Sequence, residues 1–248
     1  MDKHNRSFFK ILDKVDSTNN YAIATVHAGM ATHGMAWFAK EQTAGKGQRG
    51  KEWVSNRSKN IILSIAVVPL GLLVSQQFYL SAAVALGCYD FFSKYASGAT
   101  AIKWPNDLYW NDRKAGGILI ENVFKGKNWN WAVMGIGINI NETQFSANTI
   151  NAVSLKQITG KEYDVIALAK ELYENIMQRY EYLQTGNFKA ILEEYNEYLF
   201  KKNCTVLLKK DNARFETRIK KVNEYGQLVT EDKMERVFNW GEVEWVLK

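Results

Sequence analysis

Residues 103–121, Lys-Trp-Pro-Asn-Asp-Leu-Tyr-Trp-Asn-Asp-Arg-Lys-Ala-Gly-Gly-Ile-Leu-Ile-Glu, constrain this chain more than any other stretch. Only two prolines occur in the sequence, Pro69 and Pro105, and Pro105 stands here between a tryptophan and an Asn-Asp pair. Polar and apolar residues alternate on both sides of Asn111-Asp112, the pattern of two antiparallel strands joined by a tight turn. A hairpin holds its side chains at fixed spacings, so Asp107 and Lys114 can be carried on neighbouring strands into one cleft. Read alone, the same two residues are equally a surface aspartate and a surface lysine.

A second unusual stretch is Ala44-Gly-Lys-Gly-Gln-Arg-Gly-Lys-Glu-Trp53. Its glycines let backbone approach a ligand, and Lys46, Arg49 and Lys51 bring positive charge. It is not a phosphate-binding Walker loop, because Lys51 is followed by Glu52 rather than Ser or Thr. Gly45, Gly47 and Gly50 match a dinucleotide-binding spacing, yet no helical period follows them.

Elsewhere the pattern predicts strands over residues 8–15, 34–43, 60–68 and 130–141. It predicts helices from about residue 20 to 28, over 75–96, over 164–182 with Asp164 as N-cap, and from about 188 to 198. Ser17 or Thr18 caps the first of these. Two glycines in Gly135-Ile-Gly-Ile-Asn139 weaken a strand unless backbone or ligand comes close, and Asn139 either reads a base edge or pairs with backbone. Residues 142–163 read as loop. After residue 200 come short segments at 205–209, 214–222, 228–230, 235–239 and 242–247, the texture of a small barrel. The division is therefore 1–199 and 200–248.

At 248 residues and 46% hydrophobic, the chain can bury a substantial core. The net charge of +6 suits an anionic ligand, but the basic residues form no stripe of the kind nucleic-acid binding needs. Cys88 and Cys204 lack CxxC partners and read as small buried thiols. The polar N-terminus lacks the apolar run of a signal peptide, and no apolar run suffices to span a bilayer, so a soluble cytoplasmic protein is expected.

Three stretches in order resemble the biotin–protein ligases: Ser17-Thr-Asn19, the loop from Gln42 to Trp53, and Lys103-Trp-Pro-Asn-Asp107 through Lys114-Ala-Gly-Gly117. Gly135-Ile-Gly-Ile-Asn139 and the terminal Gly241-Glu-Val243 fall where that family has similar motifs. The resemblance implies an α+β fold: a mixed sheet flanked by helices, like that of class II aminoacyl-tRNA synthetases, and then a C-terminal SH3-like β-barrel. It implies the monofunctional type without an N-terminal DNA-binding domain, since the first catalytic strand begins near Phe8. It implies ATP, Mg2+ and biotin as reactants and a biotin carboxyl carrier protein domain as acceptor. No DNA or membrane partner is expected, and a homodimer is allowed.

By the same resemblance Lys114, Asp107 and Arg49 are catalytic. Lys114 holds the biotin carboxylate against the α-phosphate, and Asp107 orients the acceptor amine or helps it lose its proton. Ser17, Thr18, Asn19, Gln42, Gly45, Lys46, Gly47, Gln48, Lys114, Gly116 and Gly117 bind biotin. Lys46, Arg49, Trp53, Lys103, Asn106 and Asn139 serve the nucleotide. Trp53 closes over the apolar part of the pocket or belongs to the core. No residue is assigned to a metal. One departure stands out: the family loop reads Gly-Arg-Gly-Arg-x-Gly, and here Gln48 replaces the second arginine, which in the family helps retain the adenylate. The rival readings are a lipoate or octanoate ligase of the same fold and a non-catalytic biotin-binding module.

Overall fold

The computed structural model describes residues 8–96, 98–145 and 151–246. Among these, seven strands form a mixed sheet in the order β1-β2-β3-β7-β6-β5-β4. They are β1 (Phe9–Leu12), β2 (Met35–Ala39), β3 (Asn60–Val67), β4 (Thr100–Lys103), β5 (Asp107–Trp110), β6 (Arg113–Lys125) and β7 (Asn128–Asn139). Only the β1–β2 pair is parallel.

The two-residue period of β3 sorts its side chains between two layers. Ile61, Leu63, Ile65 and Val67 pack into the main core, which also takes in helix α2 (Gln77–Ser93) and helix α4 (Val165–Gln184). Ala66 faces the smaller cluster built on helix α1 (Thr18–His27), with Trp37 and Val133 from the neighbouring strands. α4 buries Val165, Leu168, Ala169, Leu172, Ile176, Tyr180 and Leu183, a stripe at helical spacing. Asp164 caps it by accepting from the N–H groups of Ile166 and Ala167 at 2.9 and 3.1 Å. Arg179 of α4 bonds Asp90 of α2 and Glu194 of helix α5 (Phe188–Glu197), tying three helices into one layer.

A second sheet, β11-β10-β9-β8-β12, is antiparallel throughout. Its strands are β8 (Thr205–Lys210), β9 (Ala213–Val222), β10 (Leu228–Glu231), β11 (Glu235–Phe238) and β12 (Glu244–Trp245). Its edge strands β11 and β12 do not pair among the described residues, so the small C-terminal barrel is not closed.

The structure departs from the sequence expectations in four further places. Within the presumed loop 142–163 lies a short helix, α3 (Leu155–Thr159), held by a capping box between Ser154 and Gln157. Five residues are too few for a hydrophobic period to register, although the cap chemistry was legible. Residues 146–150 of that stretch lie outside the described residues. β2 stops at Ala39, and Gln42 instead bridges Val15. The final strand is only Glu244–Trp245, because Glu242 is used in a turn where it accepts from the Asn239 N–H at 2.8 Å; Leu247 lies outside the described residues. Cys88 is buried as expected, but Cys204 is exposed, beside the turn that leads into β8. Among the described residues no helix is long and apolar enough to cross a membrane.

Candidate functional site

The site lies on the α1 face of the large sheet, and glycines of β7 make its floor. Gly135 pairs with Ser64 on one side and Leu119 on the other. With no side chain there, Asn19 of α1 drops into the gap: a Cβ on Gly135 would lie 2.3 Å from Asn19 Oδ1. Two residues along the same face, a Cβ on Gly137 would lie 2.5 Å from the indole of Trp53. The glycines that weaken β7 as a strand thus admit one polar and one aromatic side chain onto the sheet.

Around Asn19 the polar groups close on one another. Ser17 caps α1 and is 2% exposed. The Thr18 N–H and hydroxyl both donate to Gln42 Oε1, at 2.7 and 3.1 Å. Asn19 donates to the Leu119 carbonyl at 3.3 Å and to Glu121 Oε2 at 2.7 Å, and its Oδ1 receives the Ser64 hydroxyl at 2.6 Å. The result is a buried polar recess whose members hold each other in place.

The hairpin supplies the charged centre, and a bulge sets what lies beside it. Asp107 pairs with Gly117 and Leu108 with Gly116, but Tyr109 pairs with Lys114, so Ala115 is an extra residue on β6. The two-residue turn Asn111-Asp112 pairs Trp110 with Arg113 and Tyr109 with Lys114, so Lys114 shares the face of Tyr109 and Asp107, because faces alternate along a strand. The bulge shifts the rest of β6 by one residue, so that Gly117 rather than Gly116 lies opposite Asp107. Their side chains then meet, Nζ to Oδ1, at 2.6 Å. Residues 151–153 stitch the bulge from outside: Lys114 N donates to Asn151 O at 2.7 Å, and Val153 N donates to Lys114 O at 2.8 Å. Gly117 leaves open the space the pair occupies, its absent Cβ lying 3.4 Å from Lys114 Nζ and 3.5 Å from Asp107 Oδ1.

The recess and the ion pair lie in one cleft of about 1250 Å³. The basic loop and the second sheet complete its walls. Arg49, in a left-handed conformation at φ 57°, donates to the Gly241 carbonyl at 3.4 Å. Lys103 Nζ sits between the rings of Tyr109 and Trp245, 5.2 Å from each centroid. Burial pushes the Lys103 ammonium down to about 8; the Asp107 carboxylate opposes this shift, and the Lys114 and Lys51 charges add to it.

A sequence model of the Biotin/lipoate A/B protein ligase family matches residues 12–139, just over half of the chain. The chain belongs to the biotin/lipoate A/B protein ligase family. The matched segment holds the recess, the basic loop, the hairpin and the glycine floor. The chain is 33% identical over 141 residues to the bifunctional ligase/repressor BirA of Escherichia coli, covering 57% of this chain and 43% of that protein. It is 38% identical over 134 residues to the biotin–[acetyl-CoA-carboxylase] ligase of Paracoccus denitrificans, covering 52% of this chain and 53% of that one. It therefore spans about half the length of these curated relatives. In structure it resembles the biotin protein ligase from Aquifex aeolicus in complex with biotin and ATP, with a TM-score of 0.80 at 22% identity over 95% of this chain and 97% of that one.

Within this ligase-family site the expected residues divide into groups. Ser17, Thr18, Gln42, Lys46, Gly47, Trp53, Lys103, Asp107, Lys114 and Gly117 all line the cleft. Gly45 and Gly116 do not line it. A Cβ on Gly45 would meet the Trp53 carbonyl at 2.3 Å, and one on Gly116 the Gly137 carbonyl at 2.7 Å, so both are packing glycines. Asn19 borders the cleft, but its amide is spent on Leu119, Glu121 and Ser64 rather than offered to a ligand. Asn139 pairs with backbone, donating to Val153 O at 3.2 Å, and Asn106 donates to Ile118 O at 2.7 Å. Arg49 reaches the second sheet instead of the Lys114–Asp107 pair. Lys46 donates to Asn20 Oδ1 at 2.5 Å. Gln48 points inward, its Nε2 on the Ile118 carbonyl at 3.3 Å and its buried Oε1 without a partner. Of the two readings of Trp53, the structure gives the pocket wall: the ring lies half-buried against Gly137.

Sequence reading missed Ser64, Glu121, Tyr109 and Trp245. Ser64 did leave a signal, as the one hydroxyl in the apolar run of β3. Trp245 left none, since it reaches Lys103 from another sheet.

Proposed function

We propose that this chain is a biotin–protein ligase. It activates biotin with Mg-ATP to biotinyl-5′-adenylate, then passes the biotinyl group to a lysine of a biotin carboxyl carrier domain. The observation that carries this reading is the polar recess formed by buried Ser17 and Thr18 and half-buried Gln42 in the cleft. The ureido ring of biotin has N–H donors and a carbonyl acceptor to satisfy such groups. The dithiolane ring of lipoate has neither and would leave them unpaired.

In the first step the biotin carboxylate attacks the α-phosphorus of ATP and pyrophosphate leaves. Lys114 is placed to exchange Asp107 for the incoming carboxylate and then to offset charge at the phosphoryl group. In the second step the acceptor amine attacks the acyl carbon and AMP leaves, with Asp107, freed of Lys114, orienting that amine. The reactive anhydride needs shelter from water, which Trp53, the basic loop and the second sheet supply. The metal would arrive on the nucleotide, as magnesium usually does. Among the described residues no group of three or more His, Cys, Asp or Glu could hold a metal ion. We take residues 1–199 as the catalytic unit and 200–248 as the smaller one, and the cytoplasm as the site of action.

The deciding experiment is ATP–pyrophosphate exchange with biotin and with lipoate in separate reactions. Exchange driven by biotin alone is expected, and exchange driven by lipoate alone overturns the reading. A second expected result concerns pH. Lys103 is charged below about 8 and neutral above it. If that charge receives phosphate, kcat/KM for ATP falls as pH rises through about 8. Lys103→Arg, which keeps its charge, should carry activity to higher pH. A profile flat to pH 9.5 in both proteins removes Lys103 from nucleotide binding.

A further inference from the structure

Ser64 and Glu121 touch no part of the cleft where chemistry is proposed, yet both end on the same amide. The Leu119 carbonyl offers only lone pairs, so Asn19 must turn its Nδ2 that way; Glu121 Oε2 takes the second proton at 2.7 Å. Asn19 Oδ1 consequently faces β3, where the Ser64 hydroxyl lies 2.6 Å from it and 2.7 Å from Thr18 Oγ1. The Thr18 N–H donates to Gln42 Oε1 at 2.7 Å, and its one hydroxyl proton is shared between the Ser64 oxygen and Gln42 Oε1. Among the described residues this leaves the Nε2 protons of Gln42 for whatever enters the cleft. Ser64 is fully buried, and Thr18 and Asn19 are 4% and 3% exposed, so water does not reach the bonds among these three, while Glu121 closes the half-buried end of the chain.

We propose that Ser64 and Glu121 are positioning residues. Through Asn19 they fix the place of Thr18 and the orientation of the Gln42 amide, and so set which ring chemistry the recess accepts. This inference rests on the biotin reading for the identity of the ring, but the relay itself does not. The three strands β3, β7 and β6 present Ser64, Gly135 and Leu119 in one row, so the sheet register dictates that α1 is gripped from both sides at its first turn.

The test uses Ser64→Ala, Glu121→Ala and Glu121→Gln in the full chain. Two measurements are made: steady-state pyrophosphate exchange with biotin and ATP varied separately, and solvent exchange of the Asn19 side-chain amide protons by NMR, assigned through their loss in Asn19→Asp. Ser64→Ala and Glu121→Ala are expected to raise the KM for biotin about tenfold or more, the effect of one orphaned buried polar group, with the KM for ATP little changed. Glu121→Gln, which still accepts from Asn19, should stay near wild type. The Asn19 amide protons should be slow to exchange in the wild type and fast in Glu121→Ala, a result that needs no ligand. Unprotected Asn19 protons in the wild type, or equal rises in both KM values, overturn the relay. Protected protons together with a wild-type enzyme that ignores biotin overturn the biotin reading and leave the relay standing.

Discussion

Replacing Lys114 with alanine is expected to slow biotin-dependent pyrophosphate exchange by about a hundredfold or more, the usual cost of removing one well-placed group that offsets transition-state charge. The fold should survive. The side chain is 37% exposed, and its partner Asp107 keeps contact with the open cleft, so no deeply buried charge is stranded. Circular dichroism and the thermal midpoint should stay close to wild type. Lys114→Arg is the sharper companion. The amine fits the small space above Gly117 as a compact point charge, and a planar guanidinium does not, so charge alone should restore little activity. Near-normal exchange in Lys114→Ala would remove the residue from the chemistry while leaving the family assignment untouched.

Gly135→Ala is expected to damage both fold and site with a single methyl. The new carbon would stand 2.3 Å from Asn19 Oδ1, and Asn19 cannot swing aside without abandoning Leu119, Glu121 and Ser64. Overpacking of this kind costs about 1–3 kcal/mol. Here it should also displace the first turn of α1, where Ser17 and Thr18 border the recess. Both a lowered thermal midpoint and a weakened biotin titration are expected. Gly117→Ala supplies the contrast: its new carbon would meet Lys114 Nζ at 3.4 Å and Asp107 Oδ1 at 3.5 Å, ordinary contact distances. It should fold as the wild type does. A Gly135→Ala protein with unchanged midpoint and unchanged biotin binding would show that the floor is not closed by Asn19.

Much of this was legible in the chain. The hairpin about Asn111-Asp112, the caps Ser17 and Asp164, and the two long helices follow from short-range rules, because turn chemistry, capping and amphipathic period act within a few residues. The glycines at 135 and 137 announced close approach without saying what approaches. α3 escaped because a single helical turn has no period to read.

The residue roles were harder, for a physical reason. A side chain's type says what it can bond to, and only its surroundings say which bonds it has already made. Asn19, Asn106 and Asn139 all have ligand-binding chemistry, and each donates from its amide to an internal carbonyl, a bond that no local pattern announces. Arg49 has the charge for a phosphate, and its guanidinium lies on a carbonyl of the second sheet.

By itself, then, the sequence determined the elements, the family motifs and the small set of residues able to carry the chemistry, since each is written in local pattern. The Asn111-Asp112 turn already puts Lys114 on the face of Asp107. The tertiary structure alone decided that Gly117, rather than Gly116, lies beside the pair. A one-residue bulge at Ala115, pinned by residues 151–153, shifts that register, and no local rule places the bulge there. It also decided that Ser64 and Glu121 meet Asn19 and that Trp245 meets Lys103, because strand register and the packing of one sheet on another brought them there.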